Sequence, residues 1–206
     1  GSAESNGSFQ ITGSGQHDSI TGGLRNDILM GGTGSDSIIS GSGNDSISGG
    51  AGSDIISFGT ALTSTDTVTG GSEFDTLTFT DAGGAVNELD NVTAIETITL
   101  GDAATAVTTV DALVASGATL TVDGSGLTSG QTLTWTGSAE TDGRFDITGG
   151  ADADTIIGGT GADSIFGGSG TDSIISGAGA DVIRYSSGSD LSADRQVDGG
   201  SGTDTL

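Results

Sequence analysis

The chain has 206 residues, of which 40 are glycine, and it contains neither proline nor cysteine. Its 28 acidic residues outnumber 4 basic ones, so the formal net charge at pH 7 is −24. This charge excludes a nucleic-acid or anionic-membrane partner, because phosphate binding needs a cationic surface. The composition also excludes a disulfide framework, and no apolar run of about 18 residues predicts a membrane-inserted helix. A compact state therefore needs cations to offset its self-repulsion.

A nine-residue period is the dominant feature of the chain. In the segment 31–39, which reads GGTGSDSII, glycines precede an aspartate, and a large aliphatic residue follows two positions later. Looser copies surround Asp66, Asp75 and Asp204, where the sequence does not decide whether a metal binds. The aspartates that keep the strict period are Asp18, Asp27, Asp36, Asp45 and Asp54 in a first block and Asp154, Asp163, Asp172 and Asp181 in a second.

A longer period lies on top of the nonapeptides. Residues 1–47 align with 137–183 at a constant offset of 136, and Gly1-Ser2-Ala3-Glu4 matches Gly137-Ser138-Ala139-Glu140. We therefore expect one full unit and a truncated second copy, taken from a longer tandem array. The expected organisation is a first roll block at 1–78, a β-rich spacer at 79–136 and a second roll block at 137–206.

Each nonapeptide predicts a turn followed by a short strand. Six residues form the turn, whose glycines allow positive φ, and three form a strand with the aliphatic side chain pointing inward. Two nonapeptides make one coil of two opposed strands, so aspartates 18 residues apart stack about 5 Å from each other, as adjacent strands do. Such stacked carboxylates repel one another unless a cation lies between them. The sequence therefore predicts an all-β fold, a parallel β-roll in two blocks joined by the spacer.

Calcium is the cation that this arrangement favours. A cage of carboxylates and carbonyls suits a hard cation with about six to eight oxygen ligands, whereas magnesium demands a stricter octahedron. Zinc prefers nitrogen and sulfur ligands, and the chain offers only His17 and no cysteine. A metal-free solenoid, with glycine and aspartate as mere turn formers, is the alternative interpretation, but its thin core would not readily offset the entropy of so many glycines.

The nine strict-period aspartates are the predicted carboxylate ligands, and backbone oxygens of turn glycines complete the sites. Five turns in the first block enclose three interior sites and four in the second enclose two, so we expect about five calcium ions or more. Gln16, Arg25 and Asp152 stand where the fourth turn position normally has glycine, which predicts weaker or altered turns. The predicted glycine ligands are Gly32, Gly34, Gly41, Gly43, Gly50, Gly52, Gly159, Gly161, Gly168, Gly170, Gly177 and Gly179.

The spacer loses the nonapeptide pattern. Segments 95–100, 119–122 and 132–135 alternate in strand fashion and carry β-branched residues. Segment 109–114 is predicted to form one short helix that ends at Gly117. Two interpretations stay open for the spacer, namely irregular coils that continue the solenoid or a small β-rich insert between the rolls.

The nine-residue pattern resembles the G-G-x-G-x-D-x-U-x repeat of the RTX, or hemolysin-type, family of calcium-binding secreted proteins. The resemblance implies bacterial origin, type I secretion and folding outside the cell, where calcium is abundant. It favours a structural region of an extracellular cell-surface protein, of the S-layer or adhesin type, with calcium and self-association into a surface array as expected interactions. The alternatives are an accessory module of an RTX-type enzyme and a ligand-binding repeat. No catalytic constellation is present, so the chain itself is not expected to be an enzyme.

Overall fold

The computed structural model describes residues 7–81, 83, 86–186 and 194–206. The Gly1–Glu4 copy of the Gly137–Glu140 segment lies outside the described residues. Every regular element is a β-strand, and within the described ranges no helix is long and apolar enough to span a membrane.

The strands are short and follow the chain in order. Their bounds are β1 Gln10–Thr12, β2 Ser19–Thr21, β3 Ile28–Thr33, β4 Ser37–Ile39, β5 Ser46–Ala51, β6 Ile55–Gly59, β7 Thr67–Ser72, β8 Thr76–Phe79, β9 Val92–Thr93, β10 Thr97–Leu100, β11 Thr105–Thr108, β12 Thr119–Asp123, β13 Leu133–Thr136, β14 Arg144–Thr148, β15 Thr155–Ile157, β16 Ser164–Phe166, β17 Ser173–Ile175, β18 Ala178–Gly179, β19 Val182–Arg184, β20 Gln196–Asp198 and β21 Ser201–Gly202.

The strands form a parallel β-roll. One face is a nine-stranded sheet in the order β19-β16-β14-β12-β10-β8-β6-β4-β2, which runs through both blocks and the spacer. The opposite face consists of two five-stranded sheets, β1-β3-β5-β7-β9 and then β11-β13-β15-β17-β20. Apart from the β18–β21 pair, successive strands alternate between the two faces, and the strand pairs in these sheets are parallel. The all-β parallel roll predicted from the nonapeptides is confirmed.

The aliphatic residue of each nonapeptide forms the core. Where strict nonapeptides follow one another, the strands pair in a register of 18 residues, so Ile20, Ile38 and Ile56 lie one above another. Side chains alternate across a strand, which buries this central residue and leaves its two neighbours facing outward. Ile38 and Ile56 are completely buried as a result.

The spacer continues the solenoid with longer coils. Its three predicted strands are present as β10, β12 and β13, and they pair with strands of the flanking repeats. Trp135 of β13 is completely buried and packs edge-to-face on Phe145, with ring centroids 5.6 Å apart. Of the two interpretations of the spacer, the structure therefore shows irregular coils within one solenoid rather than a separate insert.

The short helix predicted at 109–114 is wrong. This segment forms turns, closed by bonds such as Leu113 N–H to the Val110 carbonyl, 3.1 Å. Leu113 and Val114 are neighbours, and both are buried in the core. In a helix, consecutive side chains point in different directions. A turn at the edge of the roll can instead direct both of these apolar side chains into the core.

Candidate metal sites in the glycine turns

Each predicted aspartate ligand ends a glycine turn and directly precedes a strand. Eight of the nine strict-period aspartates are no more than 3 % exposed, and Asp18 is half-buried. Aspartate is rarely fully buried unless it is paired or coordinates a metal. The fold therefore places a row of buried carboxylates along each side of the roll.

One oxygen of each strict-period carboxylate except that of Asp18 binds the coil below. Asp36 Oδ1 accepts the backbone N–H of Asp18 at 2.8 Å, and Asp54 Oδ1 accepts that of Asp36 at 2.8 Å. The second block repeats this ladder, since the Asp154 N–H donates to Asp172 Oδ1 at 2.9 Å. The ladder stacks the carboxylates in the register predicted from the 18-residue spacing.

The second oxygen distinguishes two kinds of turn. In the turns that we call open, the second and fourth positions have positive φ, as at Gly32 (+110°) and Gly34 (+112°). In the turns that we call closed, these positions do not have positive φ, and the N–H at the second position donates to the aspartate Oδ2. The open turns are 31–36, 40–45, 49–54, 70–75, 167–172, 176–181 and 199–204; the closed turns are 13–18, 22–27, 149–154 and 158–163.

Four of the seven open turns leave an aspartate oxygen buried and unsatisfied. Oδ2 of Asp36, Asp54 and Asp181 is buried and has no hydrogen-bond partner. In the closed turns the same atom is satisfied, for example by the Gly23 N–H at 2.6 Å from Asp27 Oδ2. Because a buried carboxylate oxygen without a partner is costly, the open turns are the ones whose geometry calls for a cation.

Position in the stack decides which kind of turn forms. The first described turn of each stack is closed, and three of these turns, 22–27, 149–154 and 158–163, lie on a coil that is not a glycine turn. A Cβ at Gly23 would meet the Phe9 ring, and one at Gly159 would meet the backbone and Cβ of Glu140. The later turns lie instead on backbone carbonyls of a repeat turn, so that a Cβ at Gly32 would collide with the Ser14 carbonyl oxygen and one at Gly50 with the Gly32 carbonyl oxygen.

Carbonyl oxygens converge on the same space as the free carboxylate oxygens. A Cβ built on Gly31 would collide both with Asp36 Oδ2 and with the carbonyl oxygen of Gly49 in the next turn. Likewise the Gly34 carbonyl oxygen faces Gly52 of the turn above, which has φ of +113°. Only glycine leaves room for this approach, because it has no Cβ and tolerates positive φ. Each space between stacked open turns is therefore lined by carboxylate and carbonyl oxygens.

Comparison with protein families agrees with this geometry. Residues 10–36, 21–56 and 147–191 match the family model of the RTX calcium-binding nonapeptide repeat, which is found in 4 copies. The chain carries RTX repeats. The comparison with curated proteins found no match. The RTX repeat is a calcium-binding structural repeat, and its aspartate-rich turns suit calcium, whose ligands are about six to eight oxygens at about 2.3–2.6 Å.

Burial and repulsion raise the pKa of several RTX carboxyls. Burial, with a smaller contribution from Asp27 and Asp66, raises the pKa of Asp45 to about 6. Burial also raises the pKa of Asp163 to about 6, and nearby Asp181 and Glu140 add to the shift. The pKa of Asp54 is raised by burial and by the charge of Asp36. Calcium between the turns would reverse these shifts, because it favours the ionised carboxylate.

The structure distributes the predicted glycines unequally between the two kinds of turn. Gly159 and Gly161 belong to a closed turn despite their complete RTX motif, although their carbonyl oxygens do face Gly177 and Gly179 of the open turn above. The other ten predicted glycines are at positive φ in open turns: Gly32, Gly34, Gly41, Gly43, Gly50, Gly52, Gly168, Gly170, Gly177 and Gly179.

The looser copies of the repeat differ from one another. Asp75 Oδ2 is buried without a partner in an open turn, and burial raises the pKa of Asp75 to about 6. Asp204 also ends an open turn, whereas Asp66 Oδ2 accepts the N–H of Thr63 at 2.8 Å. Asp152, which replaces a turn glycine, accepts the Gly130 N–H of the spacer. The sequence feature that indicates an open turn at Asp75 is the Gly70-Gly71 pair. The turn is open even though Glu73, at φ +79°, replaces the glycine at the fourth position.

Proposed function

We propose that this chain is a calcium-binding structural repeat region of a secreted bacterial cell-surface protein, which folds and becomes rigid when it binds calcium outside the cell. The observation that carries the proposal is the buried, unpartnered Oδ2 of Asp36, Asp54 and Asp181. These atoms are the ligands that a hard cation needs, and the stacked glycine carbonyls supply further oxygens around them.

The nine strict-period aspartates and the twelve turn glycines are the residues that we propose to hold the ions, with Asp75 and Asp204 as additions from the structure. Calcium would neutralise the stacked carboxylates and accept lone pairs from the carbonyls that face the next turn. The chain itself would orient these oxygens through the Oδ1 ladder and exclude water through the adjacent core. About five or more ions fit the number of stacked turns.

Coupling of calcium binding to folding follows from the charge. A chain with a net charge of −24 repels itself, and its thin core gives one inward aliphatic residue per nonapeptide. Because the cage does not exist in an unfolded chain, binding energy becomes folding energy. Sites of extracellular-module affinity, about 0.1–1 mM, would stay empty in the cytosol and fill outside the cell.

The duplicated unit supports a surface array rather than an enzyme accessory module. The 136-residue offset repeats the roll on the far side of the spacer, and the nine-stranded sheet passes through the spacer without interruption. Stacking further units on such a sheet would extend the roll lengthwise, which suits a rigid structural protein.

A calcium titration of chelator-treated protein tests the proposal. Circular dichroism follows the fold and light scattering follows the particle size, with magnesium as the control cation. We expect a coil-to-β transition near millimolar calcium, no transition with magnesium, and particle growth after folding. A chain that is already β-structured in chelator and insensitive to calcium would contradict the calcium-folded roll. A folded chain that stays monomeric at high concentration would contradict the surface array.

A further inference from the structure

Three acidic side chains meet at the junction of the spacer and the second block. Asp111 lies in the loop between β11 and β12, and Glu140 and Asp142 lie in the loop between β13 and β14. One carboxylate oxygen from each of the three residues lies within 4.8 Å of the others. None of these residues belongs to a nonapeptide, and in the second block the RTX family match begins only at residue 147.

Glu140 is the buried member of this cluster. It is 0 % exposed, and its Oε1 accepts the backbone N–H groups of Asp142 at 3.1 Å and Gly143 at 2.7 Å. Its Oε2 is buried and has no hydrogen-bond partner. Within the described part of the chain, no ion pair joins Arg144, the adjacent arginine, to any of the three carboxylates. A buried carboxylate oxygen beside two more carboxylates is strongly unfavourable unless a cation compensates it.

Backbone contacts hold the two loops together at this point. Asp111 Oδ1 accepts both the N–H and the hydroxyl of Thr141, at 2.9 Å and 2.6 Å. The Gly117 N–H donates to the Asp142 carbonyl at 2.9 Å. Hydrogen bonds between the two loops therefore hold the three carboxylates close together.

We propose that Asp111, Glu140 and Asp142 form a calcium site of a different kind from the RTX turns. A calcium ion with ligands at about 2.3–2.6 Å spans oxygens up to about 4.6–5.2 Å apart, which accommodates the observed cluster. Two exposed carboxylates give the ion access from solvent, and the buried Glu140 anchors it. The irregular, carboxylate-rich donor set suits calcium better than magnesium, which requires a near-ideal octahedron.

The ion locks the spacer to the start of the second roll. The Glu140 carbonyl accepts the N–H of Thr160 at 3.2 Å, so the 137–143 loop is the base on which the closed turn 158–163 lies. The closed turn 158–163 supports the open turn 176–181 above it, because the Ala178 N–H donates to the Gly159 carbonyl at 3.0 Å. A calcium ion at Glu140 therefore orders the platform from which the second stack of RTX turns begins.

Counting calcium in matched variants of the full chain tests this site. Glu140→Gln keeps an Oε1 acceptor for the two loop N–H groups but removes the charge at Oε2. Asp102→Asn is the control for Asp111→Asn, because Asp102 Oδ1 accepts the N–H and hydroxyl of Thr128, both at 2.9 Å, outside the cluster. In equilibrium dialysis at saturating calcium, we expect Glu140→Gln and Asp111→Asn to bind one ion fewer than the wild-type chain. We expect Asp102→Asn to bind the wild-type number.

Hydrogen exchange at saturating calcium locates the lost ion. Amide exchange in segments 109–118 and 137–143 should be faster in Glu140→Gln than in the wild-type chain and in Asp102→Asn, while turn 167–172 exchanges at the wild-type rate in all three. Wild-type calcium counts in Glu140→Gln, or wild-type protection of both segments in that variant at saturating calcium, would overturn the site. These results leave the RTX sites untouched, whereas a wild-type chain that binds no calcium would refute the proposed function itself.

Discussion

Replacing Gly41 by alanine tests whether the close stacking of turns, and not only positive φ, requires glycine. Gly41 has φ of +92° in an open turn, and a Cβ there would collide with the Gly23 carbonyl oxygen of the turn below. Gly130 in the spacer has nearly the same φ, +95°, but a Cβ there would have no atom within 4 Å. The pair Gly41→Ala and Gly130→Ala therefore separates the backbone cost from the steric cost.

Both variants should lose stability, by different amounts. Holding alanine at this φ costs about 1–3 kcal/mol in either position. At Gly41 the collision is with backbone, which must move, and such overpacking adds about 1–3 kcal/mol. We therefore expect Gly41→Ala to be less stable than Gly130→Ala by about 1–3 kcal/mol, because only the former separates two stacked turns.

Urea unfolding followed by circular dichroism at saturating calcium measures this difference. The free energy of unfolding should fall in the order wild type, Gly130→Ala, Gly41→Ala. Equal losses in the two variants would refute the argument that the glycine carbonyl of one turn occupies the Cβ position of the next.

Three further predictions concern buried groups. Asp54→Asn keeps an Oδ1 acceptor for the Asp36 N–H but removes a proposed calcium ligand, so folding should need more calcium and the urea midpoint at saturating calcium should fall; an unchanged calcium requirement and urea midpoint would contradict it. The carboxyls of Asp45, Asp75 and Asp163 have pKa values of about 6 in the folded chain, above the unfolded value of about 4, so the folded state binds protons more tightly. The calcium-free chain should therefore be most stable near pH 4 and lose this stability as the pH rises through 6. Circular dichroism of chelated protein between pH 4 and 7 checks the sign, because the β-structure should be greatest near pH 4; β-structure that increases with pH would refute it. Trp135→Ala should destabilise the calcium-loaded chain by about 3–5 kcal/mol in urea unfolding, since the ring is completely buried; a loss below about 1 kcal/mol would contradict its place in the core.

The repeat geometry could be predicted because it depends on local spacing. A strict period of nine fixes which residue faces inward, and two periods fix the 18-residue register that pairs Ile20 with Ile38. The aspartate ladder follows from the same register. The strands of the spacer were predictable from alternation, whereas the turn at 109–114 was not, because contacts at the edge of the roll determine it.

The state of each turn could not be predicted from its own sequence. Turn 158–163 has the complete motif but is closed, because the irregular loop at Glu140 rather than a repeat turn lies beneath Gly159. Turn 70–75 lacks the fourth glycine but is open, because it lies on Gly50. The acidic cluster at Glu140 was missed for a related reason, since Asp111 lies 29 residues earlier in a region without repeats.

Anomalous diffraction from crystals of the calcium-loaded chain tests the central claim most directly. The claim is that calcium occupies the spaces between stacked turns, where buried Oδ2 atoms meet glycine carbonyls. We expect anomalous peaks about 2.3–2.6 Å from Oδ2 of Asp36, Asp54 and Asp181, each also within reach of carbonyl oxygens from a stacked turn. Peaks confined to exposed carboxylates, with these three oxygens still unpartnered, would contradict the account.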